Sequence, residues 1–207
     1  MLLVAVVLAC GGAFLAGRLL TAPVGQAAPR GPSHGATPEQ IAATLVTSIT
    51  AQLAAGSNAT VSLSEQDLTI IAQQRNPDPA QFKSPTVVVS NGQLVVAATT
   101  SFGPFTVVDT AQVAVSLSGV GTAAPTILST VTSFSIGREW VPAWLRSWFD
   151  SRGDAALSLD PVLNSSPALA QLRSLLECVD VGNAGVVIGF HRPGAVPDPA
   201  VCAGAPA

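Results

Sequence analysis

The architecture of this chain follows from residues 86–118, TVVVSNGQLVVAATTSFGPFTVVDTAQVAVSLS. Aliphatic residues alternate here with Ser, Thr and Ala, which is the period of a β-strand with one buried face. Asn91-Gly92 interrupts the pattern, and this dipeptide is the strongest short-range signal for a β-hairpin. The segment therefore predicts three antiparallel strands, Thr86–Ser90, Gln93–Ser101 and Phe105–Ser118.

The third of these strands carries an almost continuous apolar face. Phe105, Val107, Ala111, Val113, Val115 and Leu117 share that face by their period of two, with Asp109 as the single exception. Thr126–Ile136 is predicted to return beside this strand. The other face of the sheet is assigned Ser and Thr residues, namely Thr99, Thr100, Thr110, Ser116, Ser129 and Thr130. Such a sheet either wraps an apolar groove or is an ordinary sheet with one solvated face, and both interpretations stay open.

Helices are predicted on both sides of these strands. Thr37-Pro38 begins a helix over about 38–55, with apolar residues every four positions. Ser64 begins a second helix that ends before the prolines of Asn76–Pro79. Further helices are predicted at about 141–151 and from Ser166 to about Leu176, and a last strand at Gly185–His191.

The order of these elements predicts an α+β fold in which a long antiparallel sheet is wrapped around or packed on a helix, preceded by a single N-terminal membrane segment. The expected division is a membrane segment at 1–20, a Pro/Gly/Ala linker at 21–36, the α+β envelope domain at 37–193 and a tail at 194–207. His34 falls in the linker, where no fixed ligand geometry is expected.

The N-terminal segment has two interpretations. Residues 2–20 are apolar except for Arg18, and this run, roughly 28 Å as a helix, is long enough to span a bilayer. A retained anchor is favoured, because the run exceeds the apolar core of most signal peptides; cleavage near Ala27 is the alternative. Within the cleaved alternative, Cys10 gives a weak resemblance to a lipoprotein signal.

Two signals disagree on which side of the membrane the domain lies. Arg18 and Arg30 follow the apolar run and no basic residue precedes it, which by the positive-inside rule favours a cytoplasmic domain. The two later cysteines, the low charge and the Ala/Pro-rich spacer favour the opposite side. We expect a single-pass protein of the bacterial cell membrane with its domain outside the cytoplasm.

Composition excludes several classes of function. The 207 residues are 48% apolar and 10% charged, with nine Lys+Arg and a net charge of −3. Nucleic-acid binding is not expected, because no basic surface is available. No nucleophile elbow, phosphate loop or metal-ligand cluster occurs, so no enzyme activity, metal or cofactor is predicted. His191 is interpreted as a surface residue at the end of a strand.

Cys178 and Cys202 are predicted to form a disulfide. Two such cysteines commonly pair in an oxidising compartment. The bond would fix the Pro/Gly/Ala tail to the last elements of the domain.

A tryptophan cluster offers three interpretations. Trp140, Trp144 and Trp148 recur every four residues, with Arg146 nearby. They fit a helix at a membrane interface, a helix whose aromatic residues fill the core, or the mouth of an apolar pocket.

Two short motifs carry a family resemblance. Val61–Leu68, VSLSEQDL, resembles the strand-to-helix opening of bacterial single-pass envelope proteins of the YpmS and LmeA kind, although Thr69 stands where that family tends to have Asn. Ile136–Leu145, IGREWVPAWL, is similar to their entry into a helix after a long strand. Such proteins are similar to the tubular lipid-binding superfamily, in which a long curved sheet encloses an apolar groove. The resemblance implies lipid binding without catalysis.

The expected function is binding of a membrane lipid or another apolar ligand. The residues predicted to line the apolar cavity are Val107, Val113, Val115, Phe134, Trp144 and Leu145, and those predicted at the membrane interface are Trp140, Trp148 and Arg146. The alternative is a structural or interaction module whose partner is another cell-envelope protein.

Overall fold

The protein is described by a computed structural model, which defines residues 27–76, 78–102, 105–137, 139–140 and 166–203. Within these residues the fold is α+β, as predicted, and its strands form two antiparallel sheets. The predicted membrane segment at 1–20 lies outside the described residues. None of the helices in the described part of the chain has the length and apolarity needed to cross a membrane.

The small sheet has three strands, β1 (Ala59–Ser64), β7 (Leu176–Val181) and β8 (Gly185–Phe190). Their order in the sheet is β1-β8-β7. All six residues of the central strand β8 are buried, because both of its faces are covered. On one face Val186, Ile188 and Phe190 join the main core, and on the other Val187 packs against Cys178 and Cys202.

The large sheet is a five-stranded meander. Its strands are β2 (Phe82–Ser90), β3 (Gln93–Phe102), β4 (Phe105–Ser118), β5 (Thr126–Ile136) and β6 (Glu139–Trp140), and each pairs with the next along the chain. The predicted hairpin is confirmed, and Asn91 and Gly92 both take the positive φ that its turn requires. A bulge at Thr132 shifts the register, since Gln112 pairs with Ser133 but Val113 pairs with Val131.

Helix α1 (Pro38–Ala54) packs on β1 through its predicted apolar stripe. Thr37 caps its first turn, accepting a hydrogen bond from the Gln40 backbone N–H at 3.3 Å. Ile41, Leu45 and Ile49 are buried in the main core. The sequence therefore predicted both the extent and the inner face of this helix correctly.

Helix α2 (Glu65–Gln74) begins with a reciprocal capping box. The Ser64 hydroxyl accepts from the Asp67 backbone N–H at 3.1 Å, and the Asp67 carboxylate accepts from the Ser64 backbone N–H at 3.1 Å. The helix lies against the edge strand β2, with Leu68 and Ile71 facing the main core.

Three polar side chains of α2 make hydrogen bonds with the backbone of β2. Glu65 accepts from the Val89 N–H at 2.8 Å, Thr69 accepts from the Val87 N–H at 2.9 Å, and the Gln73 amide donates to the Pro85 carbonyl at 3.2 Å. The spacing works because four helical residues advance about 6 Å and two strand residues about 6.6 Å. The helix thus satisfies backbone groups that an edge strand otherwise exposes for pairing with another chain.

The C-terminal elements differ from the prediction. Helix α3 (Pro167–Leu172) passes into a 3-10 turn at Arg173–Leu175, and β7 begins at Leu176, where the sequence predicted helix. The leucines from 169 to 176 fit a helical period, but β8 needs a second neighbour to satisfy its backbone. That long-range pairing determines the conformation of β7, and local periodicity carries no information about it.

Candidate functional site

An apolar patch occupies one end of the inner face of the large sheet. Ala98 pairs with Asp109, Thr100 with Val107, and Asp109 also with Ile136. Residues directly opposite each other point to the same side of a sheet, so these side chains share one face. We call this set, together with the neighbouring Phe134, the Asp109 patch: Ala98, Thr100, Val107, Asp109, Phe134 and Ile136.

The Asp109 patch is distinct from the main core. The other end of the same face, around Leu94, Val113 and Ile127, packs directly into that core. Among the described residues, no member of the patch belongs to the core cluster, although Val107 is only 5% exposed and Phe134 is half-buried. Among the described residues, the patch is therefore an apolar part of the sheet face that is separate from the main core.

Asp109 is a carboxyl group in apolar surroundings. Its side chain is 7% exposed and accepts a hydrogen bond from the Thr100 hydroxyl through Oδ2. Its Oδ1 has no hydrogen-bond partner among the described residues. Burial raises the pKa of Asp109, and the Thr100 hydrogen bond opposes that shift only in part. The group therefore favours its neutral form more than an ordinary aspartate does.

Strands β3, β4 and β5 carry no other ionisable group. Between Lys83 and Arg138, Asp109 is the only residue that can be charged. A buried phosphate or carboxylate needs a paired cation, and this stretch supplies none. The patch is suited to aliphatic groups with at most a neutral polar function.

The structure places the predicted cavity residues in two groups. Val107 and Phe134 lie in the Asp109 patch. Val113 is buried in the main core, and Val115 is half-buried against it. Trp140 lies in β6 opposite Ser135. The remaining predicted residues lie outside the described part of the chain, namely Trp144, Leu145, Arg146 and Trp148.

Sequence reasoning missed the polar pair of the patch. Thr100 was assigned to the solvated Ser/Thr face, but it is 1% exposed and shares the inner face with Val107. The signal was present in the alternation itself, since Leu94, Val96, Ala98 and Thr100 follow one another with a period of two. The prediction assigned Thr100 to the solvated face because it is polar. Its position in the alternating pattern would have assigned it correctly to the inner face.

A second polar cluster joins residues 27–36 to the domain. The Arg30 guanidinium donates to the Glu65 carboxylate at 2.6 Å and to the Asn183 carbonyl at 3.0 Å. His34 Nδ1 lies 2.6 Å from Asp67 Oδ2, and the His34 backbone N–H donates to Asp67 Oδ1 at 2.8 Å. These contacts fix His34 against the domain, contrary to the expectation that it lies in a segment without fixed geometry.

The two acceptors of this cluster are fully buried carboxylates. Burial alone would raise the pKa of Glu65, but hydrogen bonds from the Arg30 side chain and from the Val89 and Arg30 backbones lower it overall. Burial is likewise outweighed at Asp67, whose pKa is lowered by hydrogen bonds from His34 and Ser64. Both groups are held ionised, and the cluster is a structural junction between α2, β2 and the β7–β8 turn.

The tail is attached at the outer face of the small sheet. The predicted pairing of Cys178 and Cys202 is confirmed, with their Sγ atoms 2.07 Å apart. Beside the disulfide, Glu177 is fully buried and its Oε2 accepts from the Asp198 backbone N–H at 3.0 Å. His191, expected on the surface, is 8% exposed, and its backbone N–H donates to the Leu175 carbonyl one residue beyond the pairing of β7 with β8.

The described residues contain no group of His, Cys, Asp or Glu side chains that could hold a metal ion. Comparisons with family models, with curated proteins and with solved structures gave no match to this chain.

Proposed function

We propose that this chain is a membrane-tethered, extracytoplasmic domain of the bacterial envelope that binds a lipid or another apolar ligand on the inner face of its large sheet, without catalysis. Residues 1–20 form the tether in this proposal. The resemblance of the sequence to YpmS- and LmeA-like proteins, and through them to the tubular lipid-binding superfamily, is part of the support for this proposal.

One observation carries the proposal: the Asp109 patch is an apolar end of a sheet face that, among the described residues, does not belong to the main core. Burying hydrocarbon against such a surface contributes about 0.8 kcal/mol per CH₂ group. The disulfide adds support for the location, because such bonds persist in oxidising compartments outside the cytoplasm.

The test compares two adjacent residues that face opposite sides of β5. Phe134→Lys places a charge in the patch, and Ser133→Lys places the same charge on the other face. We expect Phe134→Lys to abolish transfer of a fluorescent diacylglycerol between vesicles, since its ammonium group would be buried against the ligand. Ser133→Lys should transfer lipid as the wild type does.

Circular dichroism and thiol counting check that both variants keep the fold and the disulfide. Equal transfer by wild type and Phe134→Lys would refute a ligand site at the patch. If the wild-type protein transfers no lipid, the alternative of an interaction module for another envelope protein is favoured.

A further inference from the structure

Asp109 carries information about the chemistry of the ligand. A carboxyl group is costly to bury in an aliphatic surface, and this one has a single hydrogen-bond partner among the described residues, Thr100, on one of its two oxygens. If the patch only held hydrocarbon, Val or Leu at this position would serve better. The free Oδ1 is therefore the feature of the patch that a function must explain.

We infer that the Asp109 patch recognises a neutral lipid that carries a hydroxyl group, such as a long-chain alcohol or a diacylglycerol, with the hydroxyl bound at Asp109 Oδ1 and the hydrocarbon on Val107, Phe134 and Ile136. This inference rests on the proposed function and narrows its ligand class. It concerns the polar end of the ligand and leaves chain length open.

The charge distribution selects a neutral ligand over an anionic one. The stretch between Lys83 and Arg138 contains no Lys, Arg or His, so strands β3, β4 and β5 supply no cation that could pair with a phosphate or sulfate. An anionic headgroup at this position would also lie beside a carboxyl group. Both the lack of a cation and the neighbouring carboxyl group therefore disfavour the binding of anionic phospholipids.

The hydrogen bonds available at Asp109 favour a ligand with a hydroxyl group over an alkane. With Thr100 donating to Oδ2, the remaining oxygen accepts from a ligand O–H when Asp109 is ionised and pairs with a ligand hydroxyl in either direction when it is neutral. A ligand without a polar group leaves Oδ1 buried and unpaired. Sites built around a buried polar group discriminate strongly against analogues that cannot satisfy it.

The experiment uses photoreactive diazirine probes that share one alkyl chain and differ at its end: an alcohol, its sulfate ester, an amine and an alkane. The full-length chain is reconstituted in vesicles, irradiated with each probe and digested with trypsin. Because no Lys or Arg lies between Lys83 and Arg138, trypsin releases residues 84–138 as one peptide, and label on it is separated from label on the N-terminal segment.

The alcohol should label this peptide roughly fivefold to tenfold more than the alkane, the size expected for one buried hydrogen bond, and more than the sulfate or the amine. Asp109→Leu should remove the difference between alcohol and alkane, and Asp109→Asn should retain it. Asp180→Leu, which changes an exposed aspartate of β7, is the matched control and should behave as wild type.

The outcomes separate this inference from the proposed function. Equal labelling by all probes, or preference for the sulfate or the amine, overturns the hydroxyl ligand but leaves lipid binding standing. No labelling of the peptide by any probe refutes lipid binding itself. The comparison of probes on the wild type decides these cases even if Asp109→Leu fails to fold.

Discussion

At the scale of single residues, three of the four buried carboxyl groups in the described part of the chain divide into two kinds. Glu65 and Asp67 are surrounded by donors, and their pKa values are lowered. Asp109 has one donor among the described residues, Thr100, and its pKa is raised by burial. Groups of the first kind hold elements together, whereas Asp109 costs stability when it ionises, which is why we connect it to function.

The raised pKa of Asp109 makes its effect on stability depend on pH in a defined direction. A carboxyl group with a raised folded-state pKa contributes stability that is fully present below its ordinary pKa of 3.8 and is lost as pH rises through the folded value. Asp109→Asn cannot ionise and avoids that loss. We expect its advantage over wild type in free energy of unfolding to grow between about pH 4 and about pH 8. A constant difference, measured by urea unfolding across this range, would contradict the assignment.

Position 189 requires glycine, because the disulfide leaves no space for a Cβ atom there. A Cβ atom at this position would overlap with Cys178 Sγ and lie 3.1 Å from Cys202 Sγ. Gly189→Ala should therefore prevent the disulfide and cost on the order of 2–5 kcal/mol. Quantifying thiols in denaturant should find three per chain, against one, that of Cys10, in wild type. Gly194→Ala, at a glycine with no atom near its Cβ position, should keep the wild-type count.

At the scale of elements, the edge strand β2 is protected by α2. Edge strands are protected by charge, by proline or by a covering helix or loop. Here one stripe of a helix, Glu65, Thr69 and Gln73, satisfies alternate residues of the strand. The arrangement also explains why Thr69, a polar residue, is buried on the inner side of α2, with only 6% of its surface exposed.

Thr69→Val tests this arrangement with little change of shape. The substitution leaves the Val87 N–H buried without its acceptor, so we expect a loss of about 1–3 kcal/mol in free energy of unfolding. Thr47→Val on α1 is the control, because the Thr47 hydroxyl only donates to the Ala43 carbonyl of its own exposed helix turn. Denaturant unfolding of both variants measures the difference. Equal, small effects would mean that the hydrogen bonds between α2 and β2 contribute little.

The sequence was most informative where a signal is local. Patterns within a few residues determine the Asn91-Gly92 turn, the extent of β4 and β5 and the apolar stripe of α1. The structure confirms these predictions. The partition into two sheets, the strand at Leu176 and the anchoring of His34 depend on residues far apart in the chain. Composition described 21–36 only as rich in Pro, Gly and Ala, and nothing in it indicated that two buried carboxylates of α2 find their partners there.

At the scale of the whole molecule, residues 27–36 connect the N-terminal segment to the junction of both sheets. Arg30 contacts Glu65 of α2, the Val89 carbonyl of the large sheet and the Asn183 carbonyl beside the small sheet. With a membrane tether at 1–20, this attachment would hold the domain within about nine residues of the bilayer, a reach of roughly 30 Å. A lipid site on the domain would then lie near its source.

A chain that begins at residue 37 should be much less stable than one that begins at residue 27. Removing Arg30 and His34 takes away the hydrogen bonds that these two residues donate to the buried carboxylates of Glu65 and Asp67, so the free energy of unfolding should fall. Because both pKa values are lowered, this stabilisation is fully present above about pH 4.5 and is lost as pH falls through the folded-state values. The difference in stability between the two chains, measured by thermal unfolding, should become smaller in acid. Equal stability at neutral pH would show that the attachment is not energetically important.

The central claim is that the large sheet holds an apolar ligand, and the mass of the intact protein tests it most directly. Native mass spectrometry of the protein, purified and then incubated with lipid vesicles, should show the polypeptide with one bound lipid. The Phe134→Lys variant should show the polypeptide alone. A wild-type protein that carries no lipid before or after this incubation would contradict the account.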